Sequence, residues 1–279
     1  IARLRLKIDG VENCGRVTTT PEGFKFTYDR FKNDPTVSYS MVQASTYENE
    51  KYLPDDYIQS LRESYPAELI DAYINGDFVN LEGGTVYRQF DRHKNHSDEI
   101  ENYDDHLRIG LDFNVGKMSA VVHIERDGNP IAVNEIRGKL DTPDMIAEIN
   151  RLYPDRQITI YPDSSGKNRK SMDASQTDIS QLQAHGFRVL FKSTNPAVRD
   201  RVNAMNAMFC NGLGVRRYMI NTKRCPHYTD DLEQQVYTKQ GEPDKEHDKD
   251  HGNDAGGYYI AFEYPVIKPM TRVKAKWRT

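Results

Sequence analysis

Two regions of the chain carry different patterns of apolar and polar positions, and they meet near Gly84. In the first, a strand-like run from Ile1 ends in the polar turn Val17-Thr18-Thr19-Thr20-Pro21-Glu22-Gly23, and Val37–Ser45 predicts a second strand. Pro54 then opens a helix whose Tyr57, Ile58, Leu61 and Tyr65 recur every three to four residues. A short helix over 66–75 closes at Gly76. Past Thr85 the period shifts to that of strands: Leu107–Phe113, Ser119–Glu125 and Ile131–Ile136, with Asp127-Gly128-Asn129-Pro130 as the turn between the last two. Thr142-Pro143-Asp144 is a helix start, and Met145, Ile149 and Leu152 share one face. A strand over Gln157–Tyr161, a helix over Ala174–His185 stopped by Gly186, and a strand over Arg188–Phe191 follow. Helices are predicted through Val198, Val202, Met205 and Phe209, over Asp230–Tyr237 and over Asn253–Phe262, with a polar loop at Gly241–Asp250. Three meandering strands followed by alternating helices and strands predict an α/β fold around a mixed sheet with right-handed crossovers.

Composition narrows the function classes. The 279 residues are 37% hydrophobic and 10% aromatic, enough for a core and too apolar for intrinsic disorder. With 38 basic and 42 acidic side chains the net charge is −4, which excludes a histone-like polycation and an acidic solvating tail. A local basic patch for nucleic acid remains compatible with that balance. No apolar run is long enough to span a membrane, and the alternating Arg3, Arg5 and Lys7 do not make a signal peptide. Beginning at Ile1 rather than Met, the sequence reads as a fragment that starts inside a longer protein. Three cysteines without a C-x-x-C pair predict a reducing cytosol rather than a disulfide framework. No G-x-x-x-x-G-K-[ST] phosphate loop occurs.

Three carboxylates stand where chemistry gathers. Asp112 ends the first strand of the second region, Asp163 follows its fourth strand directly in Tyr161-Pro162-Asp163, and Asp254 opens the last helix. Ligands of open α/β sheets collect at the carboxyl ends of strands. If the first and fourth strands are adjacent and parallel, Asp112 and Asp163 finish side by side, and a helix over that edge brings Asp254 to face them. Clustered carboxylates cannot all stay ionised without a cation, and an all-oxygen set suits Mg²⁺ or Mn²⁺ better than zinc. Two such ions roughly 3.5–4 Å apart activate water and stabilise a phosphodiester leaving oxygen. Taken singly, each aspartate has a plain structural explanation as a strand end, a turn residue or a helix-start charge. Only their joint placement argues for a site.

The order of several motifs resembles the large terminase subunits of tailed bacteriophages. Thr18-Thr19-Thr20-Pro21-Glu22-Gly23 is similar to their ATPase coupling motif, and Gln43–Asn49, Leu53-Pro54 and Gly76-Asp77-Phe78 to the segment leading out of that ATPase. Leu111-Asp112, Tyr161-Pro162-Asp163, Asp231–Gln235 and Gly252-Asn253-Asp254-Ala255 resemble the nuclease half. The resemblance implies that residues 1–84 are the end of a RecA-like ATPase domain with linker helices. It makes residues 85–279 a ribonuclease H-like nuclease with a basic tail. It further implies an endonuclease that cuts concatemeric double-stranded DNA in the host cytoplasm, with two Mg²⁺ or Mn²⁺ ions on Asp112, Asp163 and Asp254. Asp250 and His251 are additional candidates, the latter because some members place a histidine before the last aspartate. Portal protein and the small terminase subunit are the implied partners. The phosphate loop that precedes the coupling motif in full-length members is missing here, so ATP hydrolysis is expected only of the full-length protein. Rival readings are a resolvase- or transposase-type nuclease of the same fold and a non-catalytic DNA-binding module.

Basic residues form three groups: Lys167, Arg169 and Lys170 close behind Asp163; Lys192, Arg199 and Arg201; and Arg216, Arg217, Lys223 and Arg224. The first two are candidate DNA contacts. After Glu263 five positive charges (Lys268, Arg272, Lys274, Lys276, Arg278), no acidic residue and the helix-breaking Pro265 and Pro269 predict either a disordered tail or a segment that docks on DNA phosphates or on the portal that the resemblance implies. Cys225-Pro226-His227 with His247 and His251 matches no common zinc spacing.

Overall fold

The computed structural model describes residues 15–19, 27, 29–33, 39–76, 84–114, 116–164, 177–238, 240–245 and 248–266. Most of the first expected strand, Thr20–Gly23, Lys167–Lys170, His247 and the basic tail lie outside them. Thr18 and Thr19 are exposed and in no regular element.

Helix α1 (Tyr57–Ser64) and the one-turn α2 (Ala67–Ile70), which runs on into a π-turn over Asp71–Asn75, pack through Leu61, Tyr65, Leu69, Ile70 and Ile74. The strand expected over 37–45 is not formed in its described part, 39–45. Val42 is almost fully exposed there, and no strand among the described residues lies beside it to pair with. Instead Ser45 caps a 3₁₀ turn over Thr46–Tyr52, with Glu48 completing the capping box. Ser45 Oγ and Thr46 Oγ1 also donate to the carbonyls of Ile74 and Tyr73, at 3.0 and 2.8 Å. Those bonds strap the segment across the end of the π-turn.

Six strands make one mixed sheet in the order β5-β4-β1-β2-β3-β6. They are β1 (Leu107–Asp112), β2 (Met118–Arg126), β3 (Asn129–Lys139), β4 (Ile158–Pro162), β5 (Arg188–Val189) and β6 (Met219–Ile220). The first three form the antiparallel meander, and Asp127 and Gly128, both at positive φ, supply its tight turn. β4 then lies parallel to β1, and β5 parallel to β4. The two-residue β6, parallel to β3, was not expected; two residues are too short to display a period.

Alternation along β1 sorts the two layers. Leu107, Ile109 and Leu111 enter a core with α3 (Thr142–Leu152) and α4 (Asp178–Ala184), through Met145, Ile146, Ile149 and Leu182. Asp141 and Thr177 cap those helices, and Thr142 donates a hydrogen bond to Asp178, tying one helix start to the other. Arg108, Gly110 and Asp112 alternate to the opposite face, where Val121, Ala132 and Tyr161 meet α5 (Val198–Phe209), α6 (Pro226–Gln234) and α7 (His251–Glu263). No helix among the described residues is long and apolar enough to cross a membrane.

The N-terminal helices dock on the turn after α5. Gly212 N–H donates to the carbonyls of Arg62 (3.0 Å) and Tyr65 (3.1 Å), and Asn211 Nδ2 to that of Glu63 (3.2 Å). Carbonyls left over at the end of α1 are thereby satisfied by the turn after α5.

Candidate active site at the carboxyl edge of β1 and β4

β1 and β4 pair in parallel with Leu111 opposite Pro162, so Asp112 and Asp163 emerge next to each other at the same sheet edge. Asp163 N–H donates to the Leu111 carbonyl at 3.0 Å, which continues the ladder one residue past β4. Parity puts Tyr161 and Asp163 on the α7 face, the same face as Asp112.

α7 reaches that face because β1 has no side chain in its way. A Cβ on Gly110 would overlap the Ala255 carbonyl oxygen, so the helix backbone lies directly on the strand. Residues 251–261 are all buried, which offsets the helix cost of Gly252, Gly256 and Gly257, about 1 kcal/mol each. Asp254 is thereby brought in its first turn to the edge holding Asp112.

Each aspartate meets a different partner. Asp112 Oδ2 lies 3.1 Å from His251 Nδ1. Asp163 Oδ1 accepts from Asn195 Nδ2 at 2.5 Å, and Asn195 Oδ1 in turn accepts from Ser164 N–H at 2.8 Å. Asp254 Oδ1 accepts from Arg201 Nη2 at 2.5 Å, while its Oδ2 stands 3.5 Å from Lys245 Nζ. Asp250, at the N-cap position of α7, is buried. Among the described residues its Oδ1 has no hydrogen-bond partner, with His251 Nδ1 at 3.8 Å, and its Oδ2 is 3.7 Å from Lys245.

The electrostatics follow from this crowding. Burial pushes the Asp254 carboxyl up; Arg201 and Lys245 pull it down, and the charges of Asp112 and Asp250 push it up again. His251 is raised above its ordinary value, chiefly by its hydrogen bond to Asp112 and against the effect of burial. The donor set is hard oxygen, one buried carboxylate oxygen lacks a hydrogen bond among the described residues, and like charges oppose one another. A divalent cation fits that chemistry. Among the described residues no three potential ligands converge tightly enough to enclose an ion as they stand. Asp112, Asp163 and Asp254 are each turned to a protein partner instead.

Of the expected DNA contacts, Lys192 and Arg199 are exposed, and Lys192 lines a shallow cleft with Asn195, Tyr258 and Phe262, next to Ser164. Arg201 is buried, and its guanidinium is bonded to Asp254 rather than offered to solvent. The zinc alternative finds no support, since Cys225 is fully buried in the core among α5, α6 and α7 and burial raises its thiol pKa. Asn195 and Lys245 carried no sequence signal, because each reaches the site from a loop with no period and no motif.

Two family models match the chain: a terminase RNaseH-like domain over residues 109–262, and a terminase large subunit, T4likevirus-type, N-terminal model over residues 3–94. The large terminase of a thermophilic bacteriophage, in complex with ATP-gamma-S, superposes with a TM-score of 0.67 at 16% identity, over 91% of this chain and 64% of that one. A second crystal form of the same protein gives 0.66 at 15%, over 87% and 60%. The chain thus spans less than two thirds of the length of these relatives. The P22 large terminase nuclease domain matches with a TM-score of 0.50 at 12% identity, over 67% of this chain and 96% of that domain. No curated protein matches. With the domain model covering more than half of its length and this strand order beneath it, the chain belongs to the large terminase family, as a ribonuclease H-like nuclease fold preceded by part of the ATPase region.

Proposed function

We propose that this chain carries the DNA-cutting centre of a viral genome-packaging motor, a divalent-metal-dependent endonuclease acting on double-stranded DNA. The observation that carries the reading is the meeting of Asp112 and Asp163 on adjacent parallel strand ends with Asp254 delivered over them by α7. Asp112, Asp163 and Asp254 would hold Mg²⁺ or Mn²⁺, with Asp250 as a further oxygen donor. Bound there, a pair of such ions supplies an activated water and stabilises the leaving oxygen.

The rest falls to the chain's own groups. Asn195 holds Asp163, and His251 holds Asp112 and keeps a proton at that carboxylate's edge. Lys192 and Arg199 offer positive charge to the phosphates flanking the cut, and in the sequence Lys167, Arg169 and Lys170 follow closely after Asp163. Within the whole motor, portal protein and the small subunit are the expected partners, and residues 18–20 the coupling segment toward an ATPase site that this sequence does not contain.

Supercoiled plasmid incubated with the chain and Mn²⁺ tests the reading. Nicking and linearisation should appear, vanish with EDTA, and be lost in Asp163→Ala with the fold intact. Full cleavage by that variant, or cleavage in EDTA, would overturn it.

A further inference from the structure

Arg201 is placed unlike the other basic residues near the site. It leaves α5, crosses α7 and ends on Asp254 with only 4% of its side chain exposed. A Cβ on Gly257 would stand 2.8 Å from its Cγ and Cδ, so the glycine makes the trough in which the arginine lies. The guanidinium sits 4.7 Å from the Tyr258 ring centroid, and its buried Nε has no hydrogen-bond partner among the described residues. Burying such a pair, with one donor unmet, is seldom a gain for stability over a well-packed apolar pair. Its geometry has another consequence. Asp254 Oδ1 is tied by Nη2, while Oδ2 is not engaged by Arg201 and stands 3.5 Å from Nζ of the half-exposed Lys245.

We infer that Arg201 is a positioning residue for the metal centre proposed above, holding Asp254 by one oxygen so that the other is presented to a divalent cation. The inference rests on the metal-dependent reading of the site. It differs from two simpler roles in the sign of its effect. An arginine that merely neutralised Asp254 would compete with the cation, so its removal would tighten metal binding. An arginine that only filled space would leave binding unchanged. A positioning arginine loosens binding when removed, although a positive charge has been taken away, and loss of an orienting partner of a metal ligand costs about ten- to a hundredfold in affinity.

Calorimetric titration of the 279-residue chain with Mn²⁺ separates these cases. Arg201→Met should weaken Mn²⁺ binding at least about tenfold, and Arg201→Lys, which keeps the charge but not the planar fork, should recover only part of the loss. Unchanged or tighter binding in Arg201→Met overturns the inference. If the Met variant does not fold, Arg201→Lys decides alone: weaker binding than the unaltered chain supports the role, and equal binding refutes it. Failure of the unaltered chain to bind Mn²⁺ at all would instead refute the metal reading and take this inference with it.

Discussion

His251 touches Asp112, and the carboxylate favours its protonated ring more than burial opposes it. A folded-state pKa raised above the ordinary 6.5 means that the native chain keeps this proton to higher pH than the unfolded chain. The stabilisation is full below 6.5 and is lost as pH rises through the folded value. In EDTA the melting temperature should therefore fall across that window, and His251→Asn should flatten the slope; an identical slope in the variant would contradict the assignment. Asn195 is the second residue with a measurable share. It donates to Asp163 and accepts from Ser164, so Asn195→Ala should cost about 1–2 kcal/mol in urea unfolding. A variant as stable as the unaltered chain would show that those bonds exchange freely with water.

Among the elements, the contact of β1 with α7 decides whether a site exists at all. Because a Cβ at Gly110 meets backbone rather than a yielding side chain, Gly110→Ala must push α7 outward. We expect a loss of about 1–3 kcal/mol, the usual cost of overpacking, together with weakened cleavage as Asp254 withdraws from Asp112. Unaltered stability and cleavage would mean that the helix has room to spare. The same contact shows what the pattern of residues can and cannot disclose. Alternation in Leu107–Asp112 and the apolar run ending at Asp163 made two strand ends legible, and the Thr142-Pro143-Asp144 start, capped one residue earlier by Asp141, and the spacing of Val198 to Phe209 made two helices legible. The side-by-side finish of Asp112 and Asp163 followed only once β4 was taken as β1's parallel neighbour. β6 and the burial of Arg201 were not legible. A two-residue strand has no period, and an arginine in a helix looks the same on paper whether it faces solvent or a glycine trough.

Across the whole molecule, charge and docking set the remaining behaviour. Lys192 and Arg199 are exposed, Lys192 in the cleft beside Asn195, so Lys192→Ala with Arg199→Ala should weaken DNA affinity. It should also flatten the salt dependence by about 0.9 log units per phosphate contact removed. An unchanged salt slope would place the DNA elsewhere. The end of α1 is held through the 211–212 turn to the end of α5, the helix that also carries Arg201, so α1 and the site share one element. The central claim is that Asp112, Asp163 and Asp254 form a divalent metal centre. An anomalous difference map from crystals soaked in Mn²⁺ tests it most directly. The claim predicts peaks bounded by Asp112, Asp163 and Asp254, with Asp254 Oδ2 turned toward them. A map with no peak there at saturating Mn²⁺, and the three carboxylates still on His251, Asn195 and Arg201, would contradict it.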